Sequence, residues 1–273
     1  MNKQLLAFEQ YLHEEEKSAA TIEKYTRDVR YFLAFLAERS IGKVAVIAYK
    51  EHLTAEYAPA SVNSMLVALN CFLRFIGRTD CSVKLLKIQR QIFCREDKML
   101  TPEEYRRLVC AASYTQLSYV IQTICCTGIR VSELQYITVE AVQVGKAVVS
   151  CKNKTRVIFI PAPLQKLLRD YIKRTGIQTG TVFVCKSGKP LDRSSIWRRM
   201  KALCAKAGVS PHKVFPHNLR HLFARIFYSI EKDIVRLADL LGHSSVNTTR
   251  IYTVETGEGH ISRLERVQRV LLT

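Results

Sequence analysis

The sequence predicts a mainly α-helical protein that carries a small β-sheet and is divided into two domains. Its 273 residues exceed the ~250 at which a single hydrophobic core stops growing. Apolar residues recur at helical spacing through most of the first 90 residues. One short stretch, residues 147–160, is instead rich in β-branched residues. We therefore expect helices in both halves and one hairpin in the second.

Residues 1–88 are predicted to form a helical domain. The text SAATIEKYTRDVRYFLAFLAERS, which starts at Ser18, has a helical apolar stripe behind a serine cap. Similar patterns cover residues 3–15, residues 43–56 and the segment that begins at Pro59. The stripe behind Ser18 consists of Ile22, Tyr25, Val29, Phe32, Leu33 and Leu36.

A linker is predicted at residues 89–99, where the apolar periodicity lapses. The second domain, residues 100–273, opens with a helix that Thr101 caps, with Pro102 at its first position and Glu104 three residues after the cap. Further along, AVVSCKNKTRVIFIP contains two β-branched runs joined by a polar turn. These runs predict a hairpin over 147–150 and 157–160 with lysines at its tip.

Positive charge is concentrated in the second domain. The formal net charge is +18, and the isoelectric point is near 9.6. Residues 1–99 carry 15 Lys and Arg against 12 Asp and Glu, whereas residues 100–273 carry 27 against 12. Such a field attracts polyanions, and nucleic acid is the usual partner because neutralised phosphates release counterions. A membrane surface is the weaker reading, since the basic residues are spread between apolar ones.

The nine cysteines are irregularly spaced and form no C-x-x-C pair, which argues against a disulfide framework and against a zinc site. We expect most of them to be buried thiols in a reducing cytoplasm. Charge appears too early in MNKQLLAFEQYLHEEEKSAA for a signal peptide, and no run of about 18 apolar residues exists to span a bilayer. The sequence thus predicts a cytoplasmic protein with no membrane contact.

Two motifs place basic side chains where they can contact phosphate. In TGIRVSEL, Arg130 and Glu133 lie one helical turn apart, which is either an ordinary surface ion pair or an arginine held rigid for an anion. In CKNKTR, Lys152, Lys154 and Arg156 alternate, so a strand projects them to one side. These lysines are either solvated turn residues or a source of a proton for a leaving oxygen.

Two further motifs bring histidines and a tyrosine. In PHNLRHLFARIF, His217 and Arg220 share one face near a helix start, as an anion cradle requires, although a lone histidine of this kind is usually structural. In LLGHSSVNTTRIYT, Gly242 ends a helix, His243 lies in the turn, and a serine caps the next helix, which carries Tyr252. This turn is either capping alone or a device that fixes the histidine relative to the tyrosine.

Together these side chains suit phosphodiester chemistry without a metal. The sequence contains no carboxylate cluster for magnesium, no Walker-type loop and no metal-ligand spacing. Two arginines can stabilise the charge that develops on the non-bridging oxygens, and a lysine can protonate the leaving oxygen. A tyrosine becomes a usable nucleophile in a strongly cationic pocket that favours its phenolate.

The ordered set of TGIRVSEL, a basic hairpin, HNLRH, LLGHSS and a tyrosine nine residues past that histidine resembles the tyrosine recombinases, or phage-integrase family. The resemblance covers residues 101–256, and the first half is similar to the family's helical core-binding domain, which has a SAM-like fold. The two-domain layout is closest to the Xer-type enzymes. The resemblance implies a C-terminal α/β catalytic domain behind the core-binding domain.

The resemblance also implies roles for individual residues. Arg130 and Arg220 would be the phosphate-binding arginines, His217 and His243 the histidine positions, and Tyr252 the nucleophile that forms a 3′-phosphotyrosyl link. Glu133 matches a supporting acidic position. The family hairpin commonly reads Lys-Gly-Asn-Lys-x-Arg, and this chain lacks the glycine. Lys152 is assigned as general acid because it matches the first lysine, with Lys154 as the alternative.

The family chemistry needs neither ATP nor metal, and no cofactor is expected. The implied partners are a double-stranded DNA recombination site, three further protomers in a tetramer on two sites, and a second recombinase or accessory protein. The terminal segment TVETGEGHISRLERVQRVLLT predicts an amphipathic helix that either covers its own core or docks in a neighbouring protomer. Its apolar residues are Ile261, Leu264, Val267, Val270 and Leu271.

Two other functions are compatible with parts of the pattern. A type IB topoisomerase shares the tyrosine chemistry but relaxes DNA as a monomer, and the separate N-terminal bundle argues against it. A catalytically silent DNA-binding regulator accounts for the basic charge, but binding alone has no need of Tyr252.

Overall fold

The structure is a computed structural model that describes residues 2–37, 39–88, 96–151, 154–185, 187–252 and 268. The chain divides into two compact units, Met1–Arg90 and Gln91–Thr273. Residues 89–95 of the predicted linker, the hairpin tip at 152–153 and nearly all of the predicted C-terminal helix lie outside the described residues. Within the described part of the chain, no helix is long and apolar enough to cross a membrane.

The Met1–Arg90 unit is a helical bundle. It consists of α1 (Asn2–Glu14), α2 (Ala19–Leu36), α3 (Lys43–Glu56) and α4 (Pro59–Phe75), followed by a 3-10 turn at Thr79–Cys81. The predicted helices are confirmed, with ends within a few residues of those expected. Their apolar stripes meet in one core in which aromatic rings pack edge to face, as Phe8 does on Phe72.

The sequence predicts that Ser18 caps α2. Its position is confirmed, but the capping hydrogen bond of its side chain is not formed. Ser18 occupies the N-cap position, but its hydroxyl pairs with the hydroxyl of Thr21 (2.8 Å) and accepts no bond from the helix backbone. By contrast, Thr101 forms the predicted capping box with Glu104: its hydroxyl accepts from the Glu104 backbone N–H, and the Glu104 carboxylate accepts in return.

The Gln91–Thr273 unit packs helices around one hairpin. Its helices are α5 (Pro102–Ala111), α6 (Gln116–Thr127), α7 (Val139–Val144), α8 (Ala162–Thr175), α9 (Arg193–Ala202), α10 (Cys204–Ala207), α11 (Pro216–Glu231), α12 (Ile234–Leu241) and α13 (Val246–Thr249). Short 3-10 turns lie at Glu96–Lys98, Val131–Tyr136, Pro211–Lys213 and Arg250–Tyr252. A large apolar core joins α5, α6, α8, α9 and α11, and α6 and α11 pack directly on each other.

The predicted hairpin is confirmed and is longer than expected. Strands β1 (Lys146–Cys151) and β2 (Lys154–Phe159) are antiparallel, with Val149 opposite Arg156. Ala147, Val149 and Ile158 face the core. One face of the hairpin thus packs against the core of this unit.

Candidate active site

Glu133 is the buried centre of the site, with 3% of its side chain exposed. Gly128 ends α6 in the left-handed conformation (φ 64°), and the following 3-10 turn folds Glu133 back on Arg130. The Glu133 carboxylate accepts from the Arg130 backbone N–H (2.7 Å) and from the Arg130 guanidinium (3.0 Å). The predicted pair therefore exists, and the carboxylate is not a surface group.

A third partner of Glu133 comes from the hairpin. The Arg156 guanidinium donates to Glu133 Oε2 (2.5 Å), the oxygen that also accepts from the Arg130 backbone N–H, and to the carbonyl of Leu240 (2.5 Å) at the end of α12. Gly242 makes room for this arginine, because a Cβ there would lie 2.4 Å from Arg156 Cδ. Arg156 therefore ties the hairpin to both Glu133 and the turn that holds His243.

Arg220 is the largest fully buried side chain among the described residues, with 1% exposed. Its guanidinium donates to the carbonyls of Gly128 (2.5 Å) and Leu241 (2.7 Å) and lies 3.0 Å from His243 Nε2. Both carbonyls belong to the last turns of helices, where backbone acceptors lack intrahelical partners. Two helix ends thus hold this arginine in place.

His243 follows Gly242, which ends α12 with φ 63° as predicted. Ser245, one of the two predicted serines, caps α13 by accepting from the Asn247 backbone N–H. The Nδ1 atom of His243 lies 2.9 Å from the hydroxyl of Thr249. Both nitrogens of the imidazole are therefore held, Nε2 by Arg220 on α11 and Nδ1 by Thr249 on α13.

Tyr252 is 4% exposed and lies in an aromatic and histidine cluster. Its ring packs edge-on to His221 at 4.7 Å and is parallel to His243 at 5.9 Å. His221 in turn contacts His217 at 4.8 Å between ring centroids. The rings of the three histidines and the tyrosine therefore form one connected cluster.

The arginines and burial together keep these histidines neutral. Burial, followed by the charges of Arg220 and Arg130, lowers the pKa of His243 to about 4. Burial, then His217 and nearby arginines, lowers the pKa of His221 to about 4. Partial desolvation, then Arg220, Arg130 and other arginine charge, lowers the pKa of His217 as well.

Arg220 and Glu133, unlike the histidines, stay charged at neutral pH. Burial and the charge of Arg130 lower the pKa of Arg220 to about 10, although Tyr252 opposes the shift, so Arg220 remains charged at neutral pH. Burial alone would raise the pKa of Glu133, but the Arg130 backbone N–H and the Arg156 guanidinium lower it overall. The site is thus a cationic pocket with one permanent internal carboxylate.

The structure brings together Arg130, Glu133, Arg220, His243 and Tyr252, and His217 joins them through His221. Lys152 lies outside the described residues, as does the side chain of Lys154. Among the residues that the structure describes, no group of three or more His, Cys, Asp or Glu can hold a metal ion.

Three residues of the site were not assigned a role in it from the sequence: Arg156, His221 and Thr249. Strand alternation placed Arg156 beside the lysines, but its partners lie 23 and 84 residues away. His221 is one turn after His217, and that spacing was a signal for their contact. Thr249 is three residues before Tyr252, which places both on one face of the segment, and this spacing was the available signal.

Comparison with known proteins places the two units in one family. Residues 98–258 match the phage integrase family, and residues 5–79 match the phage integrase N-terminal SAM-like domain. Tyrosine recombinase XerA of Pyrococcus furiosus is 31% identical over 95% of this chain and 92% of that protein. Tyrosine recombinase XerD of Halalkalibacterium halodurans is 27% identical over 90% of this chain and 91% of that protein.

Solved structures show the same fold. A crystal structure of XerA recombinase is 27% identical, with a TM-score of 0.54 over 100% of this chain and 99% of that one. A λ integrase tetramer bound to a Holliday junction has a TM-score of 0.74 at 19% identity, over 92% of this chain and 76% of that one. The predicted fold class, a mainly helical SAM-like domain followed by a catalytic domain with a small sheet, is confirmed.

Proposed function

Since this chain belongs to the phage integrase family and is a tyrosine-type site-specific recombinase, we propose that Tyr252 is its nucleophile and that Arg130 and Arg220 bind the scissile phosphate. The observation that carries this proposal is the placement of Arg220. Its buried guanidinium is fixed by two helix ends, lies 3.0 Å from His243 and belongs to the cluster that contains Tyr252.

In the proposed cleavage step, the Tyr252 phenol loses its proton to solvent, and its oxygen attacks phosphorus and displaces the 5′ oxygen of the next nucleotide. A bond between the tyrosine oxygen and phosphorus forms, and the phosphorus–oxygen bond to the leaving sugar breaks. Negative charge on the non-bridging oxygens is stabilised by the two arginines, which Glu133 and two helix ends hold in place. The 3′-phosphotyrosyl link keeps the bond energy, so a 5′-hydroxyl can reverse the step without ATP.

Histidines and a lysine complete the proposed site. His217 and His243 orient the phosphate by hydrogen bonds, and Glu133 holds Arg130 in position through two contacts. Lys152 donates the proton that the leaving 5′ oxygen takes up, with Lys154 as the alternative donor. The chemistry assigned to these residues uses no cofactor.

The proposed substrate is double-stranded DNA, bound by four protomers on two sites. The +15 balance of residues 100–273 supports a DNA partner, because a basic surface binds phosphates. The solved relatives include recombinases bound to DNA as a dimer and as a tetramer. We further propose a cytoplasmic location, a second recombinase or accessory protein as a partner, and a C-terminal helix that docks in a neighbouring protomer.

The central test is covalent capture of DNA. A duplex is first selected from a random pool by binding to the full chain, and a version nicked beside the cleavage point is then incubated with it. We expect a protein–DNA adduct that Tyr252→Phe abolishes. Tyr114→Phe is the matched control, because Tyr114 is 89% exposed. An undiminished adduct with Tyr252→Phe contradicts the proposal.

A second experiment assigns the lysine. Lys152→Ala and Lys154→Ala are compared on an ordinary duplex and on one with a 5′-thio leaving group, which needs little protonation. The variant that lacks the general acid should recover cleavage on the thio substrate. If neither variant is rescued, the role assigned to the lysines is wrong.

The topoisomerase alternative predicts a different product. A type IB topoisomerase relaxes a supercoiled plasmid and rejoins the same strand. The proposed recombinase instead exchanges strands between two copies of the selected site. Recombinant products scored on a plasmid with two such sites therefore separate the two activities.

A further inference from the structure

His243 has a partner on each ring nitrogen, and the partners fix where its proton lies. Nε2 lies 3.0 Å from the Arg220 guanidinium, and Nδ1 lies 2.9 Å from the Thr249 hydroxyl. A guanidinium only donates hydrogen bonds, so Nε2 of a neutral His243 must accept. The proton of the ring is therefore on Nδ1, and the Thr249 oxygen accepts it.

The Thr249 side chain can pair with His243 in more than one hydrogen-bond arrangement. Its side chain is fully buried at 0% exposed, whereas the neighbouring Thr248 is exposed. A hydroxyl both donates and accepts, and it changes role by rotating about one bond. The Thr249 hydroxyl can thus pair with Nδ1 whether or not that nitrogen carries the proton.

We propose that Thr249 is a positioning residue that lets neutral His243 change tautomer when a DNA phosphate binds. In the free protein, Thr249 accepts from Nδ1–H while Nε2 accepts from Arg220. Once the phosphate engages the Arg220 guanidinium, Nε2 carries the proton and donates to a phosphate oxygen, while Nδ1 accepts from the Thr249 hydroxyl. This inference rests on the proposed function, in which Arg220 and His243 bind the scissile phosphate.

The change conserves protons. One proton leaves Nδ1 to solvent and one from solvent joins Nε2, so the ring is neutral before and after. Neutrality matters here because a neutral imidazole has a single N–H to offer, and a donor on the wrong nitrogen leaves the phosphate oxygen without a hydrogen bond. Burial and the nearby arginines lower the pKa of His243 to about 4, which keeps the ring neutral at pH 7.

The place of Thr249 in the chain links this change to the nucleophile. Thr249 ends α13, and Tyr252 ends the 3-10 turn that follows, so the two lie three residues apart and are both buried. The segment that carries Tyr252 therefore also carries the partner of His243. When His243 is held by Thr249 for phosphate binding, the segment that carries Tyr252 must therefore lie beside it.

The first test reads the tautomer directly. Nitrogen-15 NMR of histidine-labelled full chain, with His243→Gln for assignment, should show the proton on Nδ1 of His243. In the complex of Tyr252→Phe with the selected duplex, the proton should be on Nε2. A free protein with its proton on Nε2, or a complex that keeps it on Nδ1, overturns the proposal.

The second test measures adduct formation with the nicked duplex in single turnover. Thr249→Val should slow the reaction about tenfold to a hundredfold, because a buried donor or acceptor then lacks its partner. Thr249→Ser keeps the hydroxyl and should stay within about threefold. Thr248→Val is the matched control and should have no effect. Affinity for the uncleaved duplex should fall in Thr249→Val and stay unchanged in Thr249→Ser and Thr248→Val, because His243 already donates to the phosphate in that complex.

The outcomes are distinguishable. If Thr249→Val is no slower than Thr248→Val while Tyr252→Phe still abolishes the adduct, the inference fails and the proposed function stands. If Tyr252→Phe leaves the adduct undiminished, the proposed function itself fails. If Thr249→Val does not fold, the tautomer measurement on the unsubstituted chain and the Thr249→Ser rate still decide the matter.

Discussion

Among the described residues, the largest fully buried side chains of the Met1–Arg90 unit are Phe8, Phe32, Tyr49 and Phe72, whereas the largest of the Gln91–Thr273 unit is Arg220. Each unit also buries a carboxylate. Asp28 in α2 pairs with Lys24 and with Arg27, whose side chains are 33% and 61% exposed. Glu133, in contrast, has two arginines and a backbone N–H as partners.

The difference teaches where each unit can tolerate change. Apolar cores accept side chains of similar volume at a cost below about 1.5 kcal/mol. A buried ionic group whose partner is removed costs about 3–5 kcal/mol, since an uncompensated charge stays behind. We therefore expect the second unit to be the more sensitive one. Trp197, the only tryptophan of the chain, lies in α9 and reports on that unit by fluorescence.

The largest expected effect comes from removing the carboxylate of Glu133. Glu133→Leu leaves the mostly buried Arg156 and the Arg130 backbone N–H without their acceptor, and should destabilise the second unit by about 3–5 kcal/mol. Leu69→Met in the first unit, which changes shape but little volume, should cost less than about 1.5 kcal/mol. Denaturant unfolding followed by Trp197 fluorescence and by circular dichroism measures both. Equal losses would remove the contrast between the units.

The second prediction compares two glycines to separate the cost of backbone strain from the cost of a packing clash. Gly128 and Gly77 both follow a helix with positive φ (64° and 71°). Gly77→Ala has open space and should cost only the strain of that conformation, about 1–2 kcal/mol. Gly128→Ala places a Cβ 2.4 Å from the Phe223 ring and should cost roughly 1–3 kcal/mol more. Thermal and denaturant unfolding of the two variants tests this, and similar values for both would show that Phe223 yields freely.

A smaller effect should depend on pH. The pKa of His221 is about 4 in the folded protein and near 6.5 when unfolded, so the unfolded state takes up its proton first as the pH falls. The stability that neutral His221 contributes to the folded state is therefore fully present above pH 6.5 and is lost as the pH falls from 6.5 to about 4. His221→Phe should flatten this part of the pH profile of Trp197-detected unfolding by about 1–3 kcal/mol. An unchanged slope contradicts the assignment.

The smallest effect belongs to the first unit. The hydroxyl of Tyr49 is buried and has no hydrogen-bond partner among the described residues. Tyr49→Phe removes this unpaired group and keeps the ring contacts with Phe32 and Phe35. Stability should stay the same or rise by up to about 1 kcal/mol. A loss of more than that, measured by circular dichroism, would show that the hydroxyl contributes to the fold.

Local features were predictable from the sequence. The helices of the first unit, the hairpin, the Thr101 capping box and the left-handed end of α12 all depend on residues within one or two turns of each other. The pairing of Arg130 with Glu133 belongs to the same class, because it joins residues three apart.

Contacts between distant segments were not predictable. Arg220 donates to Gly128, 92 residues earlier, and Arg156 to Leu240, 84 residues later. No period or cap links such positions, since the partners are backbone carbonyls that every residue carries. The sequence pointed to Arg220 and His243 as a phosphate site, but the bonds that hold the arginine arise only from the packing of α6, α11 and α12.

Gly242 has a consequence for re-engineering the chain. Its missing side chain leaves room for Arg156, and its carbonyl accepts from Arg130 at 3.5 Å. A side chain introduced at Gly242 therefore meets two obstacles, the Arg156 side chain and the strain of a φ of 63°. Randomising Arg156 together with Gly242 relieves only the contact, because the positive φ remains and Glu133 then loses a partner.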